Sequence, residues 1–253
     1  MIALTNICKR FGDLVVLDGV DFDVQQGETV ALLGPSGTGK SVLLKQINGL
    51  IHPDSGLVEV DGLNVGLLRR EQLSALRQRI GYVFQYGALF DSMTVLENIQ
   101  IAMLSYHKRT KSLFKKAGNL YVDESMDLIR QVGIENQHDR ACGVLAYGDL
   151  KRVELAVALV NKPKLLLMDE PTAGMGPSER QTLMELTKKI VRSQNIGILF
   201  TEHDMDVVFN HAEHIILLNR GELVAQGTPE EVRQNDKAQK IYLGSGKAVK
   251  HGN

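Results

Sequence analysis

The sequence predicts an α/β fold: a mainly parallel sheet flanked by helices, with an antiparallel β-layer ahead of it and a helical subdomain inserted in its middle. Three observations predict it. Short apolar runs at Thr29–Leu33, Lys164–Met168 and Ile196–Thr201 have the length and composition of strands buried on both faces, as parallel strands are. Stretches with apolar residues at helical spacing alternate with them. A glycine-rich run, Gly34 to Ser41 (GPSGTGKS), stands between the first strand and a helix opening at Val42. It matches G-x-x-x-x-G-K-[ST] without a mismatch, in the strand–loop–helix context that a phosphate-binding loop needs.

In chain order, Ile2 to Cys8 and Val15 to Val24 alternate apolar and polar around a turn at Phe11-Gly12-Asp13, which reads as an antiparallel layer. Thr29–Leu33 leads into the glycine loop, and Val42 to Ile47 opens a helix. Leu57 to Val60 is a further strand, Glu71 to Arg79 a charged helix and Ile80 to Phe84 another strand. From Gln85 onward the pattern turns helical, at Thr94 to Leu104, Val122 to Val132 and Lys151 to Val160. Lys164–Met168 ends in Asp169-Glu170. Ser178, with Gln181 three residues on, reads as a capping box for a helix whose apolar face holds Leu183, Leu186, Ile190 and Val191. Ile196–Thr201 precedes His203-Asp204. His214 to Leu218, the turn Asn219-Arg220-Gly221 and Glu222 to Ala225 read as a hairpin. Thr228 caps a last helix with Pro229 at its first position. The expectation is one domain over residues 1–253, with 1–85 and 161–253 as the nucleotide-binding core and 86–160 as the helical subdomain.

Composition narrows the function. The apolar share is 43% and the formal net charge −1, so no global field recruits nucleic acid or anionic lipid, and no nucleic-acid partner is expected. Cys8 and Cys142 are far apart and match no metal or redox spacing. No apolar run approaches the roughly twenty residues of a membrane helix, and the N-terminus lacks the order of a signal peptide. A membrane role would therefore come through a partner. The basic run His107 to Lys116 (Lys108, Arg109, Lys111, Lys115, Lys116) reads either as a solvated linker or as a contact with a partner or lipid headgroups.

The site is expected at strand C-terminal ends. Gly34, Pro35, Ser36, Gly37, Thr38, Gly39, Lys40, Ser41 and Val42 would line the phosphates of ATP, the glycines letting backbone N–H groups curl around the anion at a helix N-terminus. Lys40 would reach the β- and γ-phosphates, and Ser41 would ligate Mg²⁺. Asp169 would hold the magnesium. Glu170 would polarise the attacking water as general base. Gln85 has an amide that can reach the metal and that water, and His203 can donate to the γ-phosphate. The competing reading of Asp169-Glu170 is a solvated pair at an ordinary strand end.

Taken together, Phe11, GPSGTGKS, Gln85, LAYGD (Leu145 to Asp149), LLLMDEP and TEHD, in that order, resemble the ATPase subunit of ATP-binding-cassette (ABC) transporters, over nearly the whole chain. That resemblance implies a P-loop nucleoside-triphosphatase (NTPase) fold and ATP hydrolysis coupled to transport, on the cytoplasmic face of the inner membrane. It implies that Phe11 stacks on adenine, and that Leu145, Ala146, Tyr147, Gly148 and Asp149 close over ATP bound to a second ATPase subunit, in a homodimer or heterodimer. It further implies membrane permease subunits docking near Gln85–Met103, and a substrate-binding protein. Two departures stand out. Ala146, Tyr147 and Asp149 replace the family's usual serine, glycine and glutamine, and Gly176 stands where an aspartate is usual, which suits a dimer with two unequal sites.

Within the family, Tyr147-Gly148-Asp149, Thr201 to Val208, Gly227 to Glu231, Ile241-Tyr242-Leu243-Gly244 and the insert near Ser112-Leu113-Phe114 look like branched-chain amino-acid importer ATPases. Ser36 to Leu44 and Phe84 to Phe90 look more like phospholipid-trafficking ATPases. A soluble cassette ATPase acting on ribosomes or DNA would carry two cassettes, a long coiled-coil insert or basic patches, and none is present in these 253 residues. A small-molecule kinase sharing the phosphate loop leaves LAYGD and His203 unexplained.

Overall fold

The computed structural model describes residues 1–85, 87, 89–107 and 120–244. The expected basic run from Lys108 to Lys116, with Ser112-Leu113-Phe114, lies outside them, as do Tyr86 and Ala88 of the expected docking segment.

The chain begins with β1 (Ile2–Phe11), β2 (Leu14–Val24), β3 (Thr29–Leu33), α1 (Lys40–Ile47), β4 (Ser55–Val60) and β5 (Leu63–Asn64). There follow α2 (Arg70–Arg77), β6 (Ile80–Val83), α3 (Val95–Tyr106), α4 (Val122–Gln131), α5 (Tyr147–Leu159), β7 (Leu165–Asp169) and α6 (Pro177–Gln194). The last part holds β8 (Gly197–Glu202), α7 (Met205–His211), β9 (His214–Asn219), β10 (Glu222–Gly227), α8 (Pro229–Gln234) and α9 (Asp236–Gly244). Two compact units form, one from Met1–Leu68 with Thr201–Asn253 and the other from Arg69–Phe200.

In the first unit the expected antiparallel layer has the order β2-β1-β4-β5. Its β1–β2 hairpin pairs Ile2 with Val24 and Phe11 with Leu14, so the turn narrows to Gly12-Asp13 and Phe11 stays in the strand. Alternate residues are buried at Ile2 and Leu4 of β1 and at Val20, Phe22 and Val24 of β2, the period of a sheet with one covered face. The same unit holds β3 parallel to β9, pairing Val30 with His214 and Leu33 with Leu217, and β9 antiparallel to β10. All five residues of β3 are buried, which explains an unbroken apolar run. The β9–β10 turn is Arg220-Gly221, both with positive φ (51° and 85°), the geometry that suits a two-residue hairpin between twisted strands.

In the second unit β6 runs parallel to β7, pairing Ile80 with Leu165 and Val83 with Met168. β7 is buried throughout, and Ile99, Ile129, Val153 and Leu155 extend its core. Thr94 caps α3, its Oγ1 accepting from the Glu97 N–H at 3.2 Å while the Glu97 carboxylate accepts from the Thr94 N–H at 2.8 Å. Buried Asn98 ties down the approach to this helix. Its Oδ1 accepts from the Phe90 N–H at 2.8 Å, and its Nδ2 reaches the carbonyls of Phe90 (3.1 Å) and Thr94 (3.0 Å).

Two expected helix starts move. The helix expected to open at Ser178 begins at Pro177 instead, with Gly176 as its N-cap. The Gly176 N–H donates to Glu179 Oε2 at 3.0 Å, so Glu179 does what Gln181 was expected to do. Proline favours the first helical position, because its missing N–H is one that the helix leaves unpaired there anyway. The helix expected over Lys151 to Val160 begins four residues earlier, at Tyr147. The closing helix α8 starts as expected: Thr228 Oγ1 accepts from the Glu231 N–H at 3.3 Å.

Candidate functional site

In the first unit the glycine loop joins β3 to α1. Gly39 is the N-cap of α1, with φ 98° and ψ 2°. A Cβ there would lie 2.6 Å from Leu17 Cδ2 and 2.9 Å from the Val16 carbonyl, so backbone conformation and packing both demand glycine. Gly34 is constrained differently: its Cβ would sit 2.3 Å from the carbonyl of Leu218 in β9. Two of the motif's glycines therefore serve the packing of the loop onto its neighbours as well as its curl. Pro35, Ser36 and Gly37 are exposed, while Ser41 and Val42 are half-buried at the helix start.

Lys40 is 4% exposed. Its Nζ donates to the carbonyls of Gly34 at 2.7 Å and Pro35 at 3.0 Å, and Thr38 Oγ1 donates to the Pro35 carbonyl at 2.9 Å. The loop thus holds its own cation, with the ammonium turned toward the turn that leads to Ser36. In the same unit Phe11 closes β1 with its ring 49% exposed, and the Lys9 ammonium lies 5.4 Å from the ring centroid. His203 is exposed just beyond β8. Its N–H donates to the carboxylate of buried Glu202 at 3.3 Å, and Asp204 caps α7 by accepting from the N–H groups of Asp206 and Val207.

In the second unit Asp169 is the buried end of β7. Glu170 follows with φ 47°, a left-handed conformation unusual for a side chain with a Cβ and one that recurs at functional turns. The alternation of the strand ends there. Gln85 Nε2 donates to Glu170 Oε2 at 3.0 Å. The parallel register explains this meeting: Val83 pairs with Met168, so the residues two beyond each, Gln85 and Glu170, come level. The phenol of Tyr82 feels the same neighbourhood. Burial, then the negative charge of Asp169, raises its pKa well above the ordinary tyrosine value.

The stretch Leu145 to Asp149 straddles a helix start: Leu145 precedes the N-cap, and the rest runs into α5. Ala146 is the N-cap of α5, with no side-chain cap, and Tyr147, Gly148 and Asp149 form the first turn. Ala146 and Tyr147 are exposed. A cleft of about 160 Å³ beside this turn is lined by Ala146, Gly148, Asp149, Arg152, Met175 and Glu179, among others. It lies next to the α6 start where Gly176 stands.

Two functional-looking residues escape a reading of the motifs. Lys151 and Glu154, three apart on α5, are both buried and ion-paired at 3.0 Å. The only sequence signal is the i, i+3 spacing of opposite charges, which an exposed helix shows equally often. Among the described residues no cluster of three or more His, Cys, Asp and Glu side chains could hold a metal ion, and no helix is long and apolar enough to cross a membrane.

The fold, with its glycine loop between a buried strand and a helix, is that of a P-loop nucleotide hydrolase. The comparisons with known proteins narrow the class. The ABC transporter family profile matches residues 17–173, and one described as branched-chain amino acid ATP-binding cassette transporter matches residues 222–248. The chain is 31% identical to the high-affinity branched-chain amino acid transport ATP-binding protein BraF of Pseudomonas aeruginosa, covering 96% of this chain and 98% of that one. It is 34% identical to the phosphonates import ATP-binding protein PhnC of Wolinella succinogenes, over 92% and 85%. The ATP-binding cassette MJ0796, solved as a dimer in a post-hydrolysis state with ADP and Pi, superposes with a TM-score of 0.78 at 28% identity, over 90% and 99%. This chain belongs to the ABC transporter family and is an ATP-hydrolysing subunit of it.

Proposed function

We propose that the chain powers import of branched-chain or other hydrophobic amino acids through separate membrane subunits. The observation that carries this reading is the likeness to BraF along the whole chain, together with the match of its C-terminal segment to the branched-chain profile. Lys40 and the backbone N–H groups of Ser36 to Val42 bind the β- and γ-phosphates of ATP. Ser41, Asp169 and Gln85 supply hydroxyl, carboxylate and amide oxygens, the hard donors that suit Mg²⁺. That ion neutralises phosphate charge when bound. Glu170, oriented by the Gln85 amide, polarises the attacking water, and His203 donates to the γ-phosphate. Phe11 stacks on adenine with its exposed ring.

Leu145 to Asp149, at the start of α5, then closes over the nucleotide of a second ATPase subunit, identical or related; the similar MJ0796 cassette is itself dimeric with ADP and Pi bound. The chain sits peripherally on the cytoplasmic face of the inner membrane, with permease subunits docking near Gln85–Met103 and a substrate-binding protein delivering cargo. A second reading rests on residues Ser36 to Leu44 and Phe84 to Phe90, which resemble phospholipid-trafficking ATPases. Purifying the intact complex decides between them. A second ATPase with a soluble amino-acid-binding protein supports import, whereas a single permease type with a lipid-binding protein overturns it in favour of lipid traffic.

A further inference from the structure

Lys151 has no role in the reading above, yet it is 2% exposed. Its Nζ sits 3.0 Å from Glu154 Oε2, donates to the Gln85 carbonyl at 3.3 Å and lies 5.4 Å from the Tyr147 ring centroid. Taking two charges out of water commonly costs as much as their attraction returns, and an apolar pair of similar volume would pack at least as well. Stability therefore does not account for the pair. Its geometry offers another account, because Lys151 bonds to Gln85 and Glu154 lies against Gly87. Lys151 holds the Gln85 carbonyl, and Glu154 lies so close to Gly87 that a Cβ there would be 2.3 Å from Oε1. The remaining end of Gln85, its amide, donates to Glu170 Oε2 at 3.0 Å. Tyr147, Lys151, Gln85 and Glu170 thus form one continuous run of contacts within a single compact unit. A cleft of about 210 Å³, lined by Gln85, Gly87, Leu89, Tyr147, Lys151 and Glu154 among others, opens onto this run.

We propose that the Lys151–Glu154 pair is a latch that positions Gln85 against Glu170, so that displacement of the first turn of α5 is felt at the water-polarising carboxylate. The latch rests on the hydrolytic roles proposed for Gln85 and Glu170. Lys151 is a positioning residue, acting through Gln85 and touching no reacting atom.

The test is a double-mutant cycle in the full-length chain, reading kcat and KM for Mg-ATP. Lys151→Met should lower kcat by up to about a hundredfold, the scale for a catalytic group misplaced by an ångström, with little change in KM. In a Gln85→Ala background the same substitution should lower kcat no further, because the latch has nothing left to position. Multiplicative losses would overturn the latch while leaving the role of Gln85 intact. A Gln85→Ala enzyme with wild-type kcat would overturn the role of Gln85, and the latch with it. Lys151→Met leaves Glu154 buried without a partner, so Lys151→Met/Glu154→Met serves as the folding control. That variant should melt near the wild type and still turn over slowly. Recovery of wild-type kcat would show that the single variant suffered only from a stranded charge, and would sink the proposal.

Discussion

The phosphate loop and the first turn of α5 are both helix N-termini offered to phosphate in the proposed reaction, and they are built in opposite ways. At α1 the N-cap is Gly39, locked by its positive φ and by Leu17 and Val16, and the cation is held by carbonyls of its own loop. At α5 the N-cap is Ala146, which has no oxygen to offer, and Asp149 places a carboxylate in the first turn. An acid there draws on the same positive potential that an incoming phosphate would use. The first site is local in sequence apart from its packing on Val16, Leu17 and Leu218. The second is an open, half-exposed turn whose proposed function depends on a second subunit. On the proposed roles, one chain would therefore carry one self-sufficient grip on phosphate and one that is weak alone.

If that contrast is right, chemistry should depend most on the residues the chain holds ready by itself. Glu170→Gln should lower ATP turnover by about 10²–10⁴-fold, the usual contribution of a positioned general base, while leaving nucleotide affinity near wild type. Equilibrium binding beside steady-state hydrolysis measures both, and a variant hydrolysing at the wild-type rate would remove Glu170 as the base. Gly39→Ala attacks the loop's construction instead. Forcing a Cβ into φ 98° and against Leu17 should cost about 2–3 kcal/mol of stability, seen as a lower denaturation midpoint. An unchanged midpoint would mean that the loop is not locked as described.

The same contrast explains which features were legible in the sequence. Thr29–Leu33 and Lys164–Met168 are legible because strands buried on both faces are apolar save at their ends, here Thr29 and Asp169, and the glycine loop because its geometry is local. The Gln85–Glu170 bond was not readable, since it depends on the β6–β7 register between residues 85 apart. The start of α5 was misplaced because Ala146 supplies no capping signal and Gly148 reads as a helix breaker. The start of α6 was misplaced because Ser178 and Gln181 mimic a capping box, and Pro177 with Glu179 overrules it. The Lys151–Glu154 pair went unread because charges on a helix are ordinarily solvated. Only the fold of the second unit buries that face of α5.

Phe11 tests a contact that neither helix start supplies. Its ring is half exposed at the end of β1, so Phe11→Ala should leave stability nearly unchanged. Loss of base–aromatic stacking is worth about 1–3 kcal/mol. ATP affinity should therefore fall by about 5- to 150-fold, with a smaller change in turnover at saturation. Titration calorimetry gives the affinity directly, and an unaltered Kd would show that adenine is held by other groups.

Ala146→Ser sharpens the comparison most directly, because it gives α5 the cap that α1 achieves by other means. A serine at this N-cap accepts from an N–H of the first turn, which should stabilise the chain by about 0.5–2 kcal/mol. The same hydroxyl is the donor that the resemblance to other family members leaves missing, so two outcomes separate cleanly. A rise in melting temperature with unchanged turnover means that the backbone N–H groups of Tyr147 and Gly148 already do what the closed site requires. A rise in kcat together with the stability gain means that the native turn is catalytically short of a donor, and that a related subunit with a serine there would form the stronger of two sites. The cap bond occupies an acceptor lone pair and leaves the hydroxyl proton free, so capping and donation do not compete.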